Sequence, residues 1–339
     1  MNEAVPGFTG WITTEAGRVP QISSSLNFAD RLGTWKARWG IGRMNYLVPP
    51  GLYAIGSPTP DDPVVVTANY KMSYDIVRNA LAGRNVWLLV LETYGINVWC
   101  AAGKGTFGTE ELTHRISVSG LAEAVAHRRL ILPMLGASGV ASHEVTKQTG
   151  FNIRYAAIRA NDLPEYLDNG MVTKKEMREL TFTFWERLAL IPIELLQALK
   201  PAAIAAATMF LMTVAIKGTF IGLMVVYVYL GSVVVGVAVA PLLLPWLPGR
   251  SFALKGGIAG LSWIVAFYLL TGGREWSAAV TAAALLATPA VSAFYTLNFT
   301  GCTPYTSRSG VKKEMRFALP AIGCALFIST LFVLVEQFL

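Results

Sequence analysis

PVVVTANYKMSYDIVRNALAGRNVWLLVLETYGINVWCAAGK, residues 63–104, decides how the first part of the chain folds. Residues 63–67 are β-branched and residues 86–91 (VWLLVL) are continuously apolar, so both read as strands covered on both faces. Between them, residues 73–82 place Ile76, Val77 and Ala80 on one helical face. The same alternation continues outward. Residues 109–127 read as a helix broken near Ser119-Gly120, 129–132 as a third strand, 142–149 as a short helix and 151–158 as a fourth strand. Residues 162–168 and 174–180 carry further helical spacing. Apolar strands alternating with helices predict a parallel, doubly wound, Rossmann-like α/β domain over residues 1–190. Ligands of such sheets lie beyond the carboxyl ends of the strands. Here those ends are Thr67-Ala68-Asn69-Tyr70, Glu92-Thr93-Tyr94-Gly95 and residues 133–139, all rich in small and polar side chains.

The rest of the chain has a different composition. Of the 49 charged side chains in the 339 residues, 38 lie in residues 1–200 and 11 in residues 201–339. Mean hydropathy is +0.47, and charged residues make up 14%, against roughly 25% in ordinary soluble domains. Five apolar segments, about 201–216, 219–247, 252–271, 276–298 and 317–338, predict an all-α transmembrane domain over residues 191–339. Alternate loops hold Arg250, Lys255, Arg308, Lys312, Lys313 and Arg316, whereas the others hold Lys217 and Arg274. The positive-inside rule then puts the N-terminal domain in the cytoplasm and the C-terminus outside, in a multi-pass protein of the cell membrane. The first 30 residues contain no apolar run, so no cleavable signal peptide is expected. The near absence of charge within the spans favours anchoring over an ion pathway. The net charge of +7 collects in membrane-flanking loops and suggests no nucleic acid partner.

Several chemistries are disfavoured. No GxGxxG follows a strand, and there is no phosphate-loop lysine motif. His114, His127 and His143 have no metal-ligand spacing. Cys100, Cys302 and Cys324 are too scattered for a zinc pattern or a disulfide framework. Cys302 reads as a loop residue or a metal-relaying thiol, and Cys324 as packing inside the fifth span. Cys100 falls in Asn97-Val98-Trp99-Cys100-Ala101-Ala102-Gly103-Lys104, which reads as a short helix across the strand ends. There Trp99 is expected to anchor the helix, and the alanines to leave room for a flat ligand. By composition alone, Cys100 is a buried small hydrophobe.

The octapeptide resembles the cap-helix signature N-V/I-W-C-A-A/G-G-K of the mercury-methylating corrinoid protein family at all eight positions. Residues 35–56, 64–75 and 298–315 are also similar, as is the layout of a cytoplasmic domain followed by five spans. The resemblance implies a cobalamin-type corrinoid cofactor, with Cys100 as catalytic residue and lower axial ligand of cobalt. It implies transfer of a cobalt-bound methyl group to Hg(II), giving methylmercury. It implies a ferredoxin-like partner with two [4Fe–4S] clusters as reductant, and a methyl-folate-type donor acting through a methyltransferase. Corrinoid-binding residues would be Asn97, Val98, Trp99, Cys100, Ala101, Ala102 and Gly103 on the helix, with Thr67, Asn69, Tyr70, Gly136, Ser138 and Gly139 at the strand ends. Asn97 caps the helix or bonds a corrin amide, Asn69 bonds the corrin or orders a turn, and Lys104 is solvated or pairs with a corrin phosphate. Gly136, Ser138 and Gly139 admit the ligand or form an ordinary strand–helix turn. The first domain is also similar to corrinoid methyl carriers of the acetyl-CoA pathway. A membrane transporter or thiol-based metal-binding protein is the reading from another class.

Overall fold

The computed structural model describes residues 5–336, apart from the side chains at 301, 302 and 308. The chain divides into two compact units, Met1–Leu180 and Thr181–Leu339. The first is built on one seven-stranded sheet. In chain order its elements are β1 (Phe8–Thr14), β2 (Gly17–Ile22), α1 (Phe28–Arg38), β3 (Gly51–Ile55), β4 (Val64–Ala68), α2 (Lys71–Ala80), β5 (Val86–Leu91), α3 (Val98–Lys104), α4 (Thr109–Val118), α5 (Leu121–Ala124), β6 (Arg129–Leu132), α6 (Ser142–Thr149), β7 (Asn152–Tyr155) and α7 (Leu163–Asp168).

The strand order is β1-β2-β3-β5-β4-β6-β7. Strands β4, β5, β6 and β7 are mutually parallel, as their apolar runs predict. The expectation of a purely parallel sheet is corrected at β3, which pairs antiparallel with β5 and carries the β1–β2 hairpin on its far side. Strands β1 and β2 are half-exposed, so they lack the continuous apolar run that marks a doubly covered strand. The helix expected at 174–180 is also corrected: only a 3-10 turn, Glu176–Arg178, forms there.

Every residue of β4 and β5 is buried, and alternate side chains feed two cores. Val64, Val66, Leu89 and Leu91 pack with Phe107, Leu112 and Ile116 on one face. Val65, Leu88 and Val90 pack with Tyr74, Leu81 and Ile131 on the other. The chain passes from β4 to β5 on one side and then crosses to β6 on the other. Sheets with such a reversal bind their ligands at this switch point, which here lies beyond the carboxyl ends of β4 and β6.

The second unit is helical. A Thr183–Glu186 capping box starts α8 (Phe184–Leu188). There follow α9 (Ile191–Lys217), α10 (Thr219–Val234), α11 (Ala240–Leu242), α12 (Phe252–Leu270), α13 (Ala278–Asn298) and α14 (Arg308–Val335). A π-helical turn, Val235–Val239, joins α10 to α11, and the Thr296 hydroxyl donates to the Gly236 carbonyl at 3.0 Å. Among the described residues, five helical stretches are long and apolar enough to cross a bilayer. The first runs well ahead of residue 201 and passes through Pro201. On α12, a Cβ at Gly256 would lie 2.8 Å from Ala293 Cα, and one at Gly260 would lie 2.9 Å from Pro289 Cα. Helices α12 and α13 thus meet backbone to backbone through a Gly-xxx-Gly stripe.

Candidate ligand-binding crevice

Helix α3 lies against the Met134–Gly136 turn that follows β6. Asn97 is its N-cap, and the side-chain oxygen accepts the Cys100 N–H at 2.9 Å. Gly105 ends the helix with φ +84°. Ala101 and Ala102 are buried, whereas Trp99, Cys100, Gly103 and Lys104 are exposed. Three expectations are corrected here. Trp99 is not the anchor, because Ala101 and Ala102 face the core and Phe107 is fully buried beside them. The alanine side chains therefore do not line a ligand surface. Cys100 is not a buried hydrophobe, because the residues on the opposite face of this short helix fill the core. Val98 packs partly against that same core.

Gly136 and Gly139 explain how α3 approaches so closely. A Cβ at Gly136 would stand 2.5 Å from the Phe107 ring, and one at Gly139 would stand 2.2 Å from the Phe107 carbonyl oxygen and 3.0 Å from Ala102 Cα. Their missing side chains make room for the chain itself. Ser138 between them is exposed.

At the end of β4, Asn69 is 1% exposed and organises the next turn. Its amide donates to Glu92 Oε1 at 2.6 Å. Its oxygen accepts from the Thr93 N–H at 3.0 Å, the Thr93 hydroxyl at 2.9 Å and the Gly95 N–H at 3.3 Å. Glu92 Oε1 also accepts the Tyr94 N–H at 2.8 Å. This network holds Tyr94 at φ +54° with its ring exposed. No motif marks Tyr94 or Glu92; the only signal was their place after an apolar strand.

Thr67 and Tyr70 differ from Asn69. Both are at least nine-tenths buried, and neither hydroxyl has a hydrogen-bond partner. Burial pushes the Tyr70 phenol above its usual range, against the pull of the Arg43 and Arg38 charges. The Arg43 guanidinium stands 5.8 Å from the Tyr70 ring centre, and Leu47 bridges to Tyr70. Two orphaned buried hydroxyls at a strand end suit a ligand rimmed with amides, since each unmet hydroxyl costs about 1–3 kcal/mol. Among the described residues, no three His, Cys, Asp or Glu side chains converge on a metal site. His127 Nε2 donates to the Asp62 carbonyl, 2.8 Å away, and His143 is exposed. The Cys302 thiol lies outside the described side chains.

The first unit is thus a mixed-sheet α/β module with an exposed thiol on a capped helix. Residues 43–167 match the family described as CO dehydrogenase/acetyl-CoA synthase delta subunit. The chain is similar to the acetyl-CoA decarbonylase/synthase complex subunit gamma of Methanopyrus kandleri, 32% identical over 123 residues (36% of this chain, 26% of that protein). The corresponding subunit of Archaeoglobus fulgidus is 31% identical over 130 residues (38% and 27%), and that of Methanocaldococcus jannaschii 32% over 124 (36% and 25%). The chain thus spans about a quarter of the length of these curated relatives. These matches correct the resemblance drawn from the octapeptide: the relatives are acetyl-CoA synthase and decarbonylase/synthase subunits, not mercury-methylating proteins. Hg(II) as acceptor and methylmercury as product fall with that assignment.

Proposed function

We propose that the first unit is a corrinoid-binding methyl carrier of the acetyl-CoA-pathway type, attached to a bundle of membrane-spanning helices. The observation that carries this reading is the exposed Cys100 on α3, the helix that follows β5 and packs on the turn after β6. The similarity over residues 43–167 supports it. When bound, a cobalt corrinoid supplies a metal centre that accepts a methyl group and gives it up again.

The residues of this chain supply placement. Asn97 fixes the first turn of α3 and so fixes the direction of the Cys100 side chain. Cys100 Sγ would be the group that holds the cobalt, as the thiolate, which is the metal-binding form. Gly103, one turn on, has no atom within 4 Å of a Cβ position, so this face of the helix admits a broad, flat molecule. Thr67 and Tyr70 would offer their unpartnered hydroxyls to polar groups of the ligand. Asn69 positions the Glu92–Gly95 turn and is not itself free to bind. The relatives are subunits of a named complex, so we extend the reading to protein partners that deliver and remove the methyl group, and to an iron–sulfur protein as reductant. The distribution of Arg250, Lys255, Lys312, Lys313 and Arg316 favours a cytoplasmic first unit.

The test is cobalt content and visible absorption of the anaerobically purified chain, beside Cys100→Ala. One cobalt per chain is expected, with a spectrum that changes in the variant. An unchanged spectrum removes Cys100 as ligand. No cobalt, even after incubation with cobalamin, overturns the reading.

A further inference from the structure

Helix α1 is amphipathic in the opposite sense to an ordinary surface helix. Its buried face carries Asp30 and Ala37. Phe28, Leu32, Trp35 and Trp39 follow at i, i+4, i+7 and i+11, which is one stripe of the helix pointing away from the unit. Phe28 is 79% exposed, Trp35 57% and Leu32 36%, and Trp39 is half-buried with its ring 6.1 Å from that of Trp35. Ile41 and Met44, at 60% and 70%, continue the apolar surface beyond the helix. The helix cannot roll to hide this stripe. Asp30 is bonded to Lys71 at 2.7 Å and to Arg78 at 2.6 Å, both on α2.

Charge frames the stripe. Arg31 and Arg38 lie on one side of it and Lys36 on the other. Among the described residues, none of the three makes an ion pair. Asp30 is the single acid between residues 27 and 47, and it is buried.

We propose that α1 is an interfacial helix whose Phe28, Leu32, Trp35 and Trp39 stripe enters the headgroup boundary of an anionic bilayer, with Arg31, Lys36 and Arg38 on lipid phosphates. Aromatic and leucine side chains on one face with Lys and Arg flanking them are the pattern of helices that lie in a membrane interface. Tryptophan is favoured at that depth. A protein partner fits less well, because lysine is depleted from protein interfaces and the cations here lack acidic complements. The inference rests on the reading that the apolar helices of the second unit insert, which supplies the bilayer.

The test uses the full chain in nanodiscs of brominated phosphatidylcholine, with and without phosphatidylglycerol. The tryptophan emission of Trp35→Phe/Trp39→Phe is subtracted from that of the wild type. The difference emission is expected to be quenched by the brominated chains when phosphatidylglycerol is present. Arg31→Glu/Lys36→Glu, which leaves both rings in place, is expected to remove most of that quenching. Trp246, Trp263 and Trp276 report insertion of the second unit separately. If those three are quenched and the difference emission is not, α1 faces protein or water and the inference is overturned. Quenching that ignores both lipid charge and the charge reversal overturns the phosphate contacts. If the three are not quenched either, the insertion reading fails, and this inference fails with it.

Discussion

Tyr94 is a non-glycine residue in the left-handed region, with φ +54°, at the tip of the turn after β5. Such a backbone costs of order 1 kcal/mol and persists only where its surroundings impose it, as Asn69 and Glu92 do here. Tyr94→Gly is therefore expected to stabilise the chain by about 1 kcal/mol, read as a higher denaturation midpoint; a lower midpoint would mean that the ring contributes more than the strain costs. Thr67 makes a second case. Its hydroxyl is buried and unpartnered, so Thr67→Val should raise the stability of the ligand-free chain by about 1 kcal/mol while weakening cobalamin binding severalfold. A variant less stable than wild type would indicate that the hydroxyl has a partner. The Asn97 cap was legible from residue type and position, and removal of such a cap costs about 1 kcal/mol. The strain at Tyr94 was not legible, because it arises from Asn69, a residue of the preceding strand end.

Among elements, α1 and α2 are joined by four buried charges. Lys71 bonds Asp30 and Asp75 at 2.7 and 2.5 Å, and Arg78 bonds Asp30 and Asp75 at 2.6 and 2.8 Å. Burial alone would raise the Asp30 carboxyl, but the hydrogen bonds from Lys71 and Arg78 outweigh it and hold Asp30 below 3.8. Burial alone would likewise lower the Lys71 amine, but Asp30 and Asp75 hold it above 10.5. The Asp30 contribution is present above its unfolded value and fades as pH falls through the lower folded one. The Lys71 contribution is present below 10.5 and fades as pH rises through the higher folded value. Asp30→Asn leaves two buried cations, Lys71 and Arg78, sharing the single carboxylate of Asp75, so a loss of about 3 kcal/mol is expected. Urea midpoints against pH should show that loss constant from about pH 5 to 9 and shrinking only in acid, in the window set by Asp30. A loss that varies through neutrality would place the dominant titration elsewhere. Elements that bury both faces, such as β4 and β5, were legible as unbroken apolar runs. Strands β1 and β2 were not, because one face of each meets water and their pairing depends on β3.

At the scale of the molecule, the change in charge density along the sequence marks two kinds of interior. The long apolar helices after residue 200 were legible because length and composition alone mark them. The chemical assignment was less so. Eight residues determine how α3 is capped and where its thiol points, but the acceptor of a transferred group is not encoded in them, and the match over residues 43–167 redirects that part. The two clusters around the sheet draw only on residues up to Met177, and the clusters of the helical unit begin at Phe182. A fragment ending at Leu180 keeps both clusters around the sheet complete among the described residues. A fragment ending there should unfold in a single cooperative transition, because a sheet buried on both faces loses its two cores together. Added cobalamin should raise the midpoint of that fragment, since a ligand that binds only the folded state stabilises it by mass action. Cys100→Ala should keep the transition and lose most of the shift. A fragment that melts broadly without cobalamin would mean that the first unit depends on the helices for its fold. A sharp transition that cobalamin does not move would leave the fold independent and take the cofactor away from it.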